Sequence, residues 1–193
     1  EIYTGDDTLS LHDALPIYAN LARLCGNLAL NGSANVAVVS LAAGSGHASL
    51  RINFPTPNNA GAASLRAIPS VAGNLVLACP LDEVIGAQSL RPSVVKLDVE
   101  GFELEALKGM RHTLARFRPV VICELTDSFL RELGQSSREL LEFMEALGYV
   151  CQRLPVSGQG ETLLRAADSD LDLGQMDVLF LPMGDAAKQV PTG

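Results

Sequence analysis

Short apolar runs alternate with helical repeats through the middle of this chain, and no other feature limits its fold as strongly. Asn35–Leu41, Asn74–Pro80, Ser93–Leu97 and Pro119–Leu125 are short and rich in valine or leucine. Runs of that length and composition read as buried strands. Between and around them the spacing changes. Tyr18–Asn31 repeats Leu21, Leu24 and Leu28 at helical intervals and stops at Asn31-Gly32. Leu81–Ile85 reads as a short helical turn, and Phe102–Arg116 as one helix with Leu104, Leu107 and Leu114 facing inward. Ser136 and Glu139 have capping-box spacing at the head of a helix over Ser136–Leu147, which Gly148 ends. Strands separated by helices predict a mostly parallel sheet with helices on both faces. Tyr149–Leu154 and Asp177–Leu181 have no clear helix between them, which predicts an antiparallel pair at one edge. Ala48–Asn53 alternates and reads as a further short strand. Phe54–Ala63 and Pro155–Gly174 read as loops, and the segment after Pro182 as a frayed tail.

Composition narrows the function. Hydrophobic residues make up 48% of the 193 and charged residues 19%, which suits one globular domain with a real core. The net charge of −8 and scattered Lys and Arg argue against nucleic acid and anionic membrane as partners. No apolar run approaches a membrane span and no secretory leader is visible, so a cytoplasmic location is expected. Cys25, Cys79, Cys123 and Cys151 make no C-x-x-C motif, and three of them sit in apolar segments. They read as buried free thiols. His12, His47 and His112 form no metal-binding pair, so no metal site is expected.

The chemistry-bearing run is Lys96-Leu97-Asp98-Val99-Glu100-Gly101-Phe102-Glu103, followed by Leu107-Lys108-Gly109. A buried strand delivers two carboxylates at its C-terminal end, the edge where open α/β sheets bind ligands. Asp98 and Glu100 are two residues apart, so in extended chain they share a face. Gly101 permits the tight turn into the next helix, whose first turn favours acids. Two readings stay open at this level: acids that cap a helix, or a reaction site.

The pattern K-L-D-V-E-G-F-E-x-x-x-L-K-G resembles the signature of FkbM-type methyltransferases. Other blocks follow in that family's order: L-A-R-L-C-G-N-L-A-L-N-G from Leu21, V-A-V-V-S-L-A-A-G from Val36, Asn59-Ala60-Gly61 with Ser64-Leu65, Pro80-Leu81-Asp82-Glu83, Arg118-Pro119 to Glu124, Leu147-Gly148-Tyr149, and Asp177–Pro182. The resemblance implies a Rossmann-like class I methyltransferase fold over residues 18–182, using S-adenosylmethionine, usually for O-methylation of a small molecule or sugar. It implies that Asp98 lies near the methyl group and the acceptor, orienting the acceptor or removing its proton. Glu100 and Glu124 are further polar groups at that edge. Ala42 and Ala43 are expected to pass the adenine, and Asn59 and Gly61 to close over the acceptor.

Thr8–Ile17 reads T-L-S-L-H-D-A-L-P-I and reverse-translates in one frame to ACT CTT TCC CTA CAC GAC GCT CTT CCG ATC, which resembles a common sequencing adapter. Residues 1–17 are therefore expected to be foreign, with the native chain cut upstream of Tyr18 and its first strand missing. Where the family carries a glycine-rich loop after that strand and an acid after the second, this chain has neither, so weak or no binding of S-adenosylmethionine is expected. Two other classes compete. A non-catalytic Rossmann-like interaction domain would fit the missing loop. Mg²⁺-dependent phosphoryl transfer would use Asp98 and Glu100 as ligands, but no phosphate-binding loop or basic cluster accompanies them.

Overall fold

The computed structural model describes residues 8–12, 18–52, 74–154, 162–168 and 174–184. In chain order the elements are β1 (Thr8–His12), α1 (Tyr18–Leu30), β2 (Ala42–Ala43), β3 (Ala48–Ile52), β4 (Asn74–Cys79), α2 (Leu81–Ala87), β5 (Val94–Asp98), α3 (Glu103–Gly109), α4 (Arg111–Phe117), β6 (Val120–Thr126), α5 (Asp127–Glu132), α6 (Ser137–Ala146), β7 (Tyr149–Arg153), β8 (Thr162–Leu164) and β9 (Gln175–Pro182). They build two sheets. The larger has the order β1-β5-β6-β9-β7-β8 and the smaller β2-β4-β3.

The mixed α/β architecture agrees with the sequence, and β9 pairs antiparallel with β7 as expected. The expectation of a mostly parallel sheet is corrected. The ladders β1·β5, β5·β6 and β2·β4 are parallel, whereas β6·β9, β7·β9, β7·β8 and β3·β4 are antiparallel. The reason is topological: β9 inserts between β6 and β7, so one returning strand makes two antiparallel ladders. The place beside β5 that was expected to lack its strand holds β1, register Leu11 to Leu97 and His12 to Asp98. An alternating pentapeptide satisfies an open strand edge whatever its coding origin.

Four local expectations also change. Asn35–Leu41 forms no strand; only Ala42–Ala43 pairs, in the smaller sheet, because no described strand runs beside the valines. Phe102–Arg116 divides at Met110, whose φ of −118° leaves the helical range, giving α3 and α4. Pro155–Gly174 contains β8, which extends the sheet edge by pairing with β7. α5 follows β6 directly, where no helix was read.

The core lies between the larger sheet and α2, α3, α4 and α6. Val95 and Leu97 of β5, Val121, Cys123 and Leu125 of β6, and Val178 and Phe180 of β9 are fully buried, against Leu107, Met110, Leu114, Leu140 and Met144 of the helices. Full burial of side chains this size contributes about 1.5–3 kcal/mol each. The smaller sheet is pinned by a backbone contact: a Cβ on Gly109 would stand 2.0 Å from the Gly44 carbonyl oxygen and 3.3 Å from Pro80 Cα. Asp82 joins α2 to α4 by accepting the His112 and Thr113 N–H groups, both at 2.8 Å. That satisfies donors at the start of α4 that the helix leaves free. Arg118, in the left-handed conformation that ends α4, donates to the carbonyls of Leu147 (3.3 Å), Gly148 (3.0 Å) and Met183 (2.8 Å). The predicted N-cap Ser136 accepts the Glu139 N–H at 3.3 Å.

Asp127 ties α5 to α6. It is 4% exposed and accepts the Ser137 hydroxyl (2.7 Å), the Ser137 N–H (3.2 Å) and the Arg131 guanidinium. Burial alone would raise its carboxyl, but the Ser137 and Arg131 bonds outweigh burial and hold it below its ordinary value. A carboxyl lowered in the folded state stabilises the fold above its unfolded pKa, and that stability is lost as the pH falls through the folded value. Asp127→Asn should therefore cost about 1–3 kcal/mol near neutrality. It should also flatten the acid limb of a melting-temperature profile between pH 6 and about 2. An unchanged acid limb would remove Asp127 from the account.

Candidate active site

The site is built at the carboxyl end of β5. Alternation along that strand sends Val95, Leu97 and Val99 into the core and leaves Lys96 and Asp98 half-buried on the other face. β6 repeats the pattern, with Cys123 and Leu125 buried and Ile122 and Glu124 half-buried. Leu97 is in register with Cys123, so the next residues, Asp98 and Glu124, fall side by side on the half-buried face. Glu124 is in turn opposite Asp177 of β9. One row of backbone positions thus carries Asp98, Glu124 and Asp177 on three adjacent strands. Lys96 Nζ donates to Asp98 Oδ2 at 3.1 Å, placing a counter-charge on the same strand face. Gln175 Nε2 donates to Glu124 Oε1.

Glu100 is reached differently from the way its spacing implied. The extended backbone ends before it: Glu100 has φ +50° and Gly101 φ +97°, and Phe102 N–H bonds to the Val99 carbonyl at 3.2 Å. Positive φ at both central residues with that closing bond is a primed type I turn. Strand alternation therefore stops at Val99 and does not place Glu100 on the Asp98 face. Gly101 is fixed twice over, by its φ and because a Cβ there would lie 2.9–3.0 Å from Phe129 of α5. Glu100, a non-glycine residue with positive φ, marks a site where geometry is held against local preference.

Glu103, the last acid of the signature run, closes this turn from inside. It is 1% exposed, and its Oε1 accepts the Gly101 N–H at 2.9 Å. Its Oε2 is buried with no hydrogen-bond partner. Burial, aided by the charge of Glu100, pushes its carboxyl up to about 7 against the lowering effect of the Gly101 N–H bond and the nearby backbone of Glu103 and Val99. The signal available in the sequence was an acid placed where the helix turns its core face inward, three residues after Glu100.

Glu105, two residues on, gathers the neighbouring loops. It accepts the Ser45 hydroxyl, Lys108 Nζ at 2.9 Å and Gln135 Nε2 at 2.8 Å. Burial would raise its carboxyl, but these bonds leave it lowered. Ser45 follows β2, so this network sets the Ala42–Gly44 exit against α3. Ala42 and Ala43 are themselves 2% and 6% exposed and belong to the smaller sheet, so they are not in the strand row of Asp98. Asn59 and Gly61 lie outside the described residues. Among the described residues no cluster of three or more metal-ligating side chains exists, and no helix is long and apolar enough to cross a membrane. Cys79, Cys123 and Cys151 are buried as expected, whereas Cys25 is exposed.

A carboxylate-rich row at the carboxyl edge of an α/β sheet, with a tight turn feeding a helix, is the kind of place where open α/β folds bind ligands. The chain matches the methyltransferase FkbM domain over residues 8–151 and belongs to that family. The structure is similar to the crystal structure of methyltransferase FkbM from Methylobacillus flagellatus KT, with a TM-score of 0.50 at 18% identity. That similarity covers 90% of this chain and 36% of the other, so the chain spans about a third of that protein's length. No curated protein matches the chain.

The family's activity implies a methyl donor, and the residues here fit S-adenosylmethionine poorly. A methionine carboxylate and ammonium need a backbone that approaches closely, which glycines supply. The connection after β1, residues 13–17, reads D-A-L-P-I, with no glycine and with a proline that has no N–H to offer. On the other side, the Gly44 N–H is already committed to the Cys79 carbonyl at 3.1 Å.

Proposed function

We propose that this chain carries the acceptor side of an S-adenosylmethionine-dependent O-methyltransferase and lacks the main cofactor-binding loop. The observation that supports this reading is the placement of Asp98 at the carboxyl end of β5, beside Glu124, within the family's signature run. In this reading the larger sheet is Rossmann-like. Asp98 accepts a hydrogen bond from the acceptor's hydroxyl, orients its oxygen and draws off its proton. Glu124 and Glu100 bind other hydroxyls of a small-molecule or sugar acceptor, and Asn59 and Gly61, outside the described residues, are candidate acceptor contacts. In this reading the first seventeen residues are foreign in coding origin, although the family match begins at residue 8, and the protein works in the cytoplasm.

The experiment is a chimaera in which residues 1–17 give way to the matching segment of the Methylobacillus flagellatus protein. It is incubated with radiolabelled S-adenosylmethionine and a panel of sugars and hydroxylated small molecules. Label should pass to at least one acceptor, and Asp98→Asn should lower the rate by about 10²-fold or more. Transfer that is indifferent to Asp98→Asn contradicts the assignment.

The glycine-free connection favours one second reading, a non-catalytic interaction domain. Sequencing the genomic DNA upstream of the Tyr18 codon separates the two. A glycine-rich first strand encoded there supports the enzyme, and its absence supports the interaction domain.

A further inference from the structure

The turn that follows Asp98 is held by a side chain that costs the fold stability. A buried carboxyl with one oxygen unpaired is unfavourable, and an apolar residue of similar size would pack there without that cost. Such a group persists where its geometry serves a site. Here Oε1 of Glu103 takes the Gly101 N–H, a central donor that the closing bond of the Val99–Phe102 turn does not use. Phe129 closes the opposite side of Gly101. Between them these contacts fix the direction in which the chain leaves Asp98 and passes through Glu100.

We infer that Glu103 is the positioning residue of the carboxyl-edge site: through its bond to the Gly101 N–H it sets the conformation of the Glu100–Gly101 turn and with it the placement of the Asp98 and Glu100 carboxylates. It touches no reacting atom, so its role is indirect. The inference rests on the reading that this edge is the reaction site, but its test needs no methyl transfer. The charged side chain that acts on Glu103 is Glu100 on the turn; Glu103 in its turn, after burial, raises the buried Cys123 thiol on β6. Protonation of Oε2 leaves Oε1 free to keep the Gly101 bond. Glu103→Gln reproduces that neutral state, whereas Glu103→Met removes the acceptor.

The measurement is ¹H–¹⁵N and carboxyl ¹³C NMR of the full chain from pH 5 to 9. In the parent protein the Gly101 amide should titrate near the value of about 7 to which Glu103 is pushed. In Glu103→Gln that titration should vanish, with Gly101 remaining at its hydrogen-bonded position and the Asp98 and Glu100 carboxyl resonances close to those of the parent. In Glu103→Met the Gly101 amide should move upfield and exchange about tenfold faster. The Asp98 and Glu100 resonances should shift as well, while Tyr149 and Phe180 stay in place. A Gly101 amide that is unchanged by Glu103→Met, or that leaves its hydrogen-bonded position in Glu103→Gln, overturns the inference. If Glu103→Met does not fold, the comparison of the parent with Glu103→Gln decides the matter. Should the amide behave as stated and the chimaera transfer no methyl group, the positioning geometry stands and only the catalytic reading of the edge falls.

Discussion

Gly109→Ala is expected to destabilise the protein by about 3 kcal/mol or more, enough to leave much of it unfolded if its stability is ordinary. The added Cβ would sit 2.0 Å from the Gly44 carbonyl oxygen and 2.9 Å from the Gly44 carbonyl carbon. Both are backbone atoms, so no rotamer change relieves the overlap. The two chain segments must separate, which parts α3 from the loop after β2 and strains the Ser45–Glu105 bond. Urea unfolding of the variant and the parent measures the cost, and Gly86→Ala is the control. Gly86 also lies in a helix, and nothing stands within 4 Å of its Cβ position. Gly86→Ala should be neutral or stabilising by up to about 1 kcal/mol. Equal midpoints for the two variants would show that α3 and the Gly44 backbone are not in contact.

Stability is expected to fall as the pH rises from 5 to 8, because Glu103 must ionise in a buried place. Its carboxyl is raised in the folded protein to about 7 from an ordinary 4.5. With more protons bound in the folded than in the unfolded chain, unfolding grows easier as the pH rises between those values. The full stabilisation is present below the unfolded pKa and is lost as the pH passes through the folded one. The loss is on the order of 3 kcal/mol. Glu103→Gln should abolish the slope over this window and leave the acid limb governed by Asp127 in place. Denaturant midpoints at pH 5, 6, 7 and 8 for both proteins supply the test. A parent profile that rises with pH, or a slope that survives in Glu103→Gln, would mean that Glu103 is solvated or paired.

The parts of the fold legible in the sequence were those fixed by local pattern. β5 and β6 announce themselves by valine and leucine runs, α6 by its cap at Ser136, and the β7·β9 pair by the absence of an intervening helix. What was not legible depended on partners distant in the chain. The valines of Asn35–Leu41 have strand composition, but composition does not supply a neighbour to pair with. The break at Met110 lies within a regular helical repeat, where Leu104, Leu107 and Leu114 are all buried although they belong to two helices. The parallel character of the sheet was overestimated because the insertion of β9 between β6 and β7 is a choice of tertiary order. At the site, Asp98 and Glu124 were chosen from their strand ends, and the register sets them side by side. Glu100 was linked to Asp98 by a two-residue period that holds only in extended chain, and its positive φ breaks that period. Nothing in the sequence singles out Glu103 as a partner for the turn, because only the folded chain brings a carboxylate three residues beyond Glu100 back onto the Gly101 N–H.

The match over residues 8–151 shows the family. The proposal for this chain is narrower: an acceptor edge around Asp98 without a cradle for the cofactor. Isothermal titration calorimetry of S-adenosylmethionine into the full chain addresses that most directly, with S-adenosylhomocysteine as a second ligand. The expected result is no saturable heat below millimolar ligand, and saturable binding once the first seventeen residues are replaced by a glycine-rich strand and loop from the family. Micromolar binding by the chain as it stands, with residues 13–17 reading D-A-L-P-I, would contradict the account.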